Sequence, residues 1–232
     1  MVKYITCKWG IIMQRYENKN ICSSCGGVCC KKSGCDYFVS DFPSITKSEI
    51  LKALETGNIS IVAGIDIQKI NGKTIAFPIL YLRARNKDRD VVDLFSMKRE
   101  CSMLTETGCS YDLEHRPSGG ASLIPKKNIF GIYECRPSVD HIKELEKWLP
   151  HQNLLGRMVK RYTGKSVNEV FREDVERVFF EVMTEQYEGV SELEIHDLGR
   201  TLPQLAECFP TELNNAREKY KKAVKTYKKI KD

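Results

Sequence analysis

Cys22-Ser23-Ser24-Cys25-Gly26-Gly27-Val28-Cys29-Cys30 places four thiols within nine consecutive residues, and no other stretch constrains the fold so tightly. A thiolate reaches its metal over a single methylene. Ligands drawn from one segment must therefore be separated by a tight turn, which a short spacer provides while its backbone N–H groups point at the sulfurs. Gly26 and Gly27 suit that use. Neighbouring residues rarely ligate one tetrahedral ion together, because their side chains diverge. The vicinal pair Cys29 and Cys30 thus points to two metals, or to one polynuclear cluster with further cysteines nearby. Such cysteines are present: Cys35 five residues on, Cys101 and Cys109 on either side of Thr105-Glu106-Thr107-Gly108, and Cys135 within Glu134-Cys135-Arg136-Pro137. Cys7 and Cys208 have no partner at ligand spacing and are expected to be buried structural thiols.

A chain of 232 residues can bury a core without disulfides to hold it. The run Met1-Val2-Lys3-Tyr4-Ile5-Thr6-Cys7 lacks the continuous apolar core of a secretory signal, so the expected location is cytoplasmic, where thiols stay reduced. Together with the vicinal pair, this favours metal binding over a disulfide framework. The longest apolar stretch, Thr74 to Leu82, is about half as long as a membrane span requires. The net charge of +6 is misleading as a total, because Arg217 to Asp232 alone carries eight basic residues against Glu218 and Asp232. The rest of the chain is electrically balanced, and a basic nucleic-acid-binding face spread over the fold is not indicated. Motifs of nucleotide or acyl chemistry are missing: there is no strand-linked Gly-x-Gly-x-x-Gly, no P-loop and no Gly-x-Ser-x-Gly elbow. Glu114-His115-Arg116 and Asp140-His141 offer acid–base groups, but isolated pairs of this kind are common.

The pattern predicts an α+β fold, predominantly helical, with a cysteine-rich region over residues 1–138 that contains a short β-hairpin or small sheet. A helical region over residues 139–232 packs on it and ends in a basic amphipathic helix. Thr46 and Glu49 open a helix as a capping box, with Ile50, Leu51 and Leu54 on its buried side and Gly57 as its stop. Asn71-Gly72 between Ile65–Ile70 and Thr74–Leu82 is a type I′ hairpin signal, and Val91–Phe95 is expected to add a third short strand. Ser166 and Glu169 cap another helix, whose core-facing stripe is Val167, Phe171, Val175, Val178 and Val182. Two short helices are expected at Ser191–Leu198 and Leu202–Cys208. A last helix from Thr211 presents Ala216, Tyr220, Ala223, Tyr227 and Ile230 on one face.

All-thiolate sites suit both zinc and iron–sulfur clusters. His115 is the one histidine near the cysteines in sequence; His141, His151 and His196 read as surface or packing residues. The eight cysteines could hold two mononuclear zincs, or a four-iron cluster with four thiols left for a second site.

The order of these elements resembles the cysteine-cluster proteins of the YkgJ type, a zinc- or iron-chelating domain. Cys22-x2-Cys25-x3-Cys29-Cys30 is similar to their leading motif, Cys101-Ser-Met-Leu104 with Cys109-Ser-Tyr111 to their second block, and Arg116-Pro117 and Cys135-Arg136 to their closing elements. The resemblance spans residues 22–137 and implies metal ligation by Cys22, Cys25, Cys29, Cys30, Cys35, Cys101, Cys109 and Cys135. Two departures stand out. The family commonly spaces its first cysteines two, two and none, and its last cysteine usually follows Arg-Pro almost directly; here Ser118–Glu134 intervenes and reads as an inserted loop. The spacing of three before the vicinal pair is similar to that of flagellin lysine N-methylases. That likeness implies an iron–sulfur cluster and, as an alternative function, methyl transfer from S-adenosylmethionine to a lysine of a protein or peptide substrate. A third reading makes the metal a staple and leaves binding of an acidic partner, RNA or a membrane surface to the basic C-terminal helix, against the plainer expectation that this helix is docked and its lysines solvated.

Overall fold

The structure, a computed structural model, describes residues 2–6, 12–16, 20–21, 27, 30–31, 33–95, 100–106, 108–127, 129–131, 133–184 and 203–231. It opens with an antiparallel pair, β1 (Val2–Thr6) and β2 (Ile12–Tyr16). β3 (Asp36–Tyr37) leads through a 3-10 turn to α1 (Lys47–Glu55). The Thr46 hydroxyl accepts from the Glu49 amide at 3.4 Å, but the Glu49 carboxylate binds Lys52 rather than completing the expected box. Next come β4 (Ile59–Ile70) and β5 (Lys73–Ala84), joined by Asn71 and Gly72 at φ 51° and 76°. Both signs match a type I′ turn, whose twist follows that of its strands. Pairing is unbroken from Ile59↔Ala84 to Ile70↔Lys73, so the hairpin is long rather than short.

β3 pairs with the other side of β5, giving the sheet order β3-β5-β4. The run expected to be a third strand lies parallel along β4, with Ile61 N–H donating to Val91 at 2.7 Å and Ala63 N–H to Leu94 at 3.0 Å. It makes one isolated bridge, Ile61↔Val92, instead of a full strand. Two further small pairs follow, β6 (Leu104–Thr105) with β7 (Gly108–Cys109), and β8 (Leu123–Lys127) with β9 (Tyr133–Pro137). Between them a short helix, α2 (Ser118–Ala121), is buried along its whole length. The segment read as an inserted loop is therefore a buried turn followed by a hairpin. Gly119 and Gly120 resemble loop punctuation, but they serve close packing against Asp36, His141 and Cys35.

The helical part comprises α3 (His141–Glu146), α4 (Gln152–Thr163) and α5 (Val167–Met183), then a helical stretch at 203–208 and α6 (Pro210–Lys231). Ser166 and Glu169 form the reciprocal box, and Phe171, Val175 and Val178 are buried as the stripe requires, joined by Val170 and Phe179. The expected helix at Ser191–Leu198 lies outside the described residues. α6 departs from its expected face. Ala216 is fully buried, but Tyr220 and Ala223 are exposed, because Glu176 of α5 pairs with Lys219 at 2.5 Å and accepts from Asn215 at 2.9 Å. That polar closure ends the apolar contact where the stripe was expected to continue. The side chains of Tyr227 and Ile230 lie outside the described residues.

One hydrophobic cluster runs from Cys30 and Cys101 through Ile61 and Leu82 to Trp148, Phe171, Phe209 and Ala216, so the cysteine-bearing and helical regions share a core. Trp148 sits at its centre, fully buried, with its indole N–H donating to the Tyr37 carbonyl at 2.9 Å. Trp148→Ala should lower stability by about 3–5 kcal/mol through lost burial, a cavity and an orphaned carbonyl. Urea titration should show a lower midpoint for it, whereas Ile142→Ala, at a side chain 71 % exposed, should change the unfolding free energy by less than about 0.5 kcal/mol.

Candidate metal centre

Backbone bonds at the end of β5 join cysteine-bearing segments that are distant in sequence. The Ala84 amide donates to the Cys35 carbonyl at 2.8 Å, and the Gly34 amide donates to Asn86 Oδ1 at 2.7 Å. Asn86 bridges to Cys101, the Ser102 amide donates to Arg85 at 2.9 Å, and the Cys101 amide donates to the Cys30 carbonyl at 2.7 Å. Two thiol-bearing segments are thus anchored along Ala84, Arg85 and Asn86, and a third, at Cys30, is tied to Cys101. Cys109 joins through the β6–β7 pair, where it faces Leu104, whose amide donates back to Cys101 at 3.0 Å.

Two glycines make the approach possible. Gly27 has φ +70°, and a Cβ there would meet Leu104 Cδ1 at 2.5 Å; its carbonyl accepts from Lys31 N–H at 2.9 Å, closing the turn that carries Cys30. On the other side, Gly120 of α2 lies against Cys35, where an added Cβ would be 2.5 Å from Sγ. Cys30 and Cys101 are buried, and Cys35 and Cys109 are partly so.

The polar groups around these thiols are already engaged. Tyr37 and Tyr111 share a hydroxyl–hydroxyl bond of 3.1 Å. Burial raises the Tyr111 phenol, against the lowering effect of its bond with Tyr37. Burial alone would raise the Asp36 carboxyl, yet Arg83 at 2.6 Å and His141 at 2.6 Å hold it below its ordinary value. Burial pushes the neighbouring Tyr81 phenol up to about 12 against the opposing effect of Arg83. Asp41 accepts from Ser118 and from the Phe38 amide and faces Arg15, whose guanidinium also donates to the carbonyls of Leu113, Glu114 and Arg116. The nearby carboxylates are committed to the fold, which leaves sulfur as the available donor.

The expected ligands divide into three groups. Cys30, Cys35, Cys101 and Cys109 lie on segments that backbone bonds link to the end of β5 or to one another. Cys22, Cys25 and Cys29 lie outside the described residues, as does Cys7. Cys135 is exposed on β9, opposite Pro125. Among the described residues, no three His, Cys, Asp or Glu side chains come together as a set that could hold an ion. Cys208 donates to the Thr74 carbonyl at 3.4 Å and burial raises its thiol, in keeping with a structural role. His115 pairs with Asp112 at 2.8 Å rather than with Glu114, and Asp140 caps α3 while His141 turns to Asp36. Sequence reasoning missed Asp36, Arg83 and Arg15. The one available signal was an aspartate followed directly by Tyr37-Phe38-Val39, a setting that buries a carboxylate and so demands a partner.

Comparison with family models, curated proteins and solved structures returned no match.

Gly34→Ala tests the anchoring of the cysteines. Its Cβ would stand 1.8 Å from the Ala84 carbonyl oxygen, so β3 and β5 must part. The variant should lose about 2–3 kcal/mol, within the range for overpacking. Its Cys35 thiol should also react faster with a thiol reagent than that of the natural chain.

Proposed function

We propose that this chain is a metal-binding protein of the YkgJ cysteine-cluster type that carries an iron–sulfur cluster, with zinc as the alternative metal. Cys22, Cys25, Cys29, Cys30, Cys35, Cys101, Cys109 and Cys135 would supply the thiolates. The observation that carries the reading is the four-thiol motif ending in a vicinal pair, whose last member is tied by a 2.7 Å backbone bond to Cys101. The donor chemistry fits: soft thiolates are present, and the surrounding carboxylates are held by Arg83, His141, Arg15 and Ser118. Iron–sulfur is preferred to zinc on the family resemblance.

A bound cluster would supply electron transfer, whereas zinc would act as a structural staple. The chain's own residues orient and shield. Gly27 and Gly120 let backbone and sulfur approach closely, the β5 end holds the Cys35 and Cys101 segments with Cys30 tied to Cys101, and the shared core shields Cys30 and Cys101. A reducing cytoplasmic setting suits such thiols. Among the described residues, no helix is long and apolar enough to cross a membrane.

Purification without air, followed by metal analysis and a visible spectrum, tests the proposal. A coloured protein holding iron and acid-labile sulfide in equal amounts is expected. Cys30→Ser and Cys101→Ser should lower the metal content, and Cys208→Ser should leave it unchanged. Removal of the metal by a chelator should lower the melting temperature, since metal binding contributes to folding. Stoichiometric zinc in a colourless protein would exclude the cluster. A folded, metal-free protein with every thiol titratable would sink the whole reading.

A further inference from the structure

The β8–β9 hairpin ends in a tip that nothing in the metal-centre reading uses. Ile129 is 92 % exposed and Phe130 79 %, the two most exposed large apolar side chains among the described residues. Gly131 turns this arm at φ +77°, and Lys126, Lys127, Ile129, Phe130, Gly131, Cys135, Arg136 and Pro137 are all exposed. Its strands carry Lys126, Lys127 and Arg136, with Glu134 the one acid between residues 126 and 137. Hairpin tips are ordinarily polar, and paired large apolar groups in water mark an interaction site.

We propose that this hairpin is a membrane wedge: Ile129 and Phe130 enter the interfacial zone of a bilayer while Lys126, Lys127 and Arg136 face anionic headgroups. Two side chains at a tip offer far less than the roughly 800 Å² per partner of a stable protein interface. A lipid surface has no such threshold, because each apolar side chain and each cation contributes singly. The excess of positive charge on the arm selects anionic over neutral lipid. The wedge is independent of which metal the cysteines hold.

The test uses the full chain as purified, sedimented with vesicles of phosphatidylcholine alone and of phosphatidylcholine mixed with phosphatidylserine. Binding is expected to the mixed vesicles, weakening as salt is added, with little to phosphatidylcholine alone. Ile129→Ser combined with Phe130→Ser should lower partitioning roughly tenfold or more while leaving far-UV circular dichroism and metal content unchanged. Phe130→Trp should shift its emission to the blue when vesicles are added. Folded protein that ignores both vesicles overturns the proposal. So does a double serine variant that binds as well as the natural chain, which would assign binding to charge alone or to basic α6. A Phe130→Trp emission that stays at the wavelength of exposed indole would also overturn it.

Discussion

The hydrogen bond from the Cys101 amide to the Cys30 carbonyl is the contact on which the rest of the molecule turns. It joins the thiol-rich leading segment to the second cysteine group, and it is made possible because the pairing pattern of β5 continues past Ala84. Beyond that residue the strand no longer belongs to a sheet, yet Arg85 and Asn86 still accept from or bridge to their neighbours. The long β4–β5 hairpin therefore does two things. Its base is buried on both faces, at Ile61 and Val62, and anchors the helices; its end is a ruler for cysteines.

A second layer of order surrounds that ruler and is wholly ionic or hydrogen-bonded. Asp36 sits next to Cys35 in sequence and is held by Arg83 and His141, from a strand and from a helix. Arg15, from the first hairpin, threads its guanidinium among the carbonyls of Leu113, Glu114 and Arg116 and toward Asp41. A buried ion pair adds little net stability but is costly to break once formed, so these contacts specify one arrangement of segments more than they strengthen it. On this account the charged residues set where the thiols go, and the hydrophobic cluster supplies the stability.

Local signals were the legible ones. Asn71-Gly72, the Ser166–Glu169 box and the Phe171, Val175 and Val178 stripe each act within a turn or two of chain, and each appears as expected. Of the candidate site, the sequence offers the thiols and their order alone, because cysteine spacing is itself local. What escaped was everything that joins distant positions: β3 beside β5, Asp36 with Arg83 and His141, and Arg15 with residues 113–116. The glycines of Ser118–Ala121 misled for a related reason. In a sequence they look like a loop, whereas here they are small so that Asp36, His141 and Cys35 can crowd against them. The stripe of α6 misled in the other direction, since periodicity says which face is apolar but not how far its partner reaches. Glu176 ends that contact at Lys219.

The central claim is that cysteines from separate segments share one metal centre organised at the end of β5. X-ray absorption at the metal edge of anaerobically prepared protein tests this most directly. The account predicts a first shell made of sulfur alone at about 2.3 Å, diminished when Cys101 is replaced by serine. A first shell of nitrogen or oxygen, or an all-sulfur shell indifferent to the loss of Cys101, would contradict it.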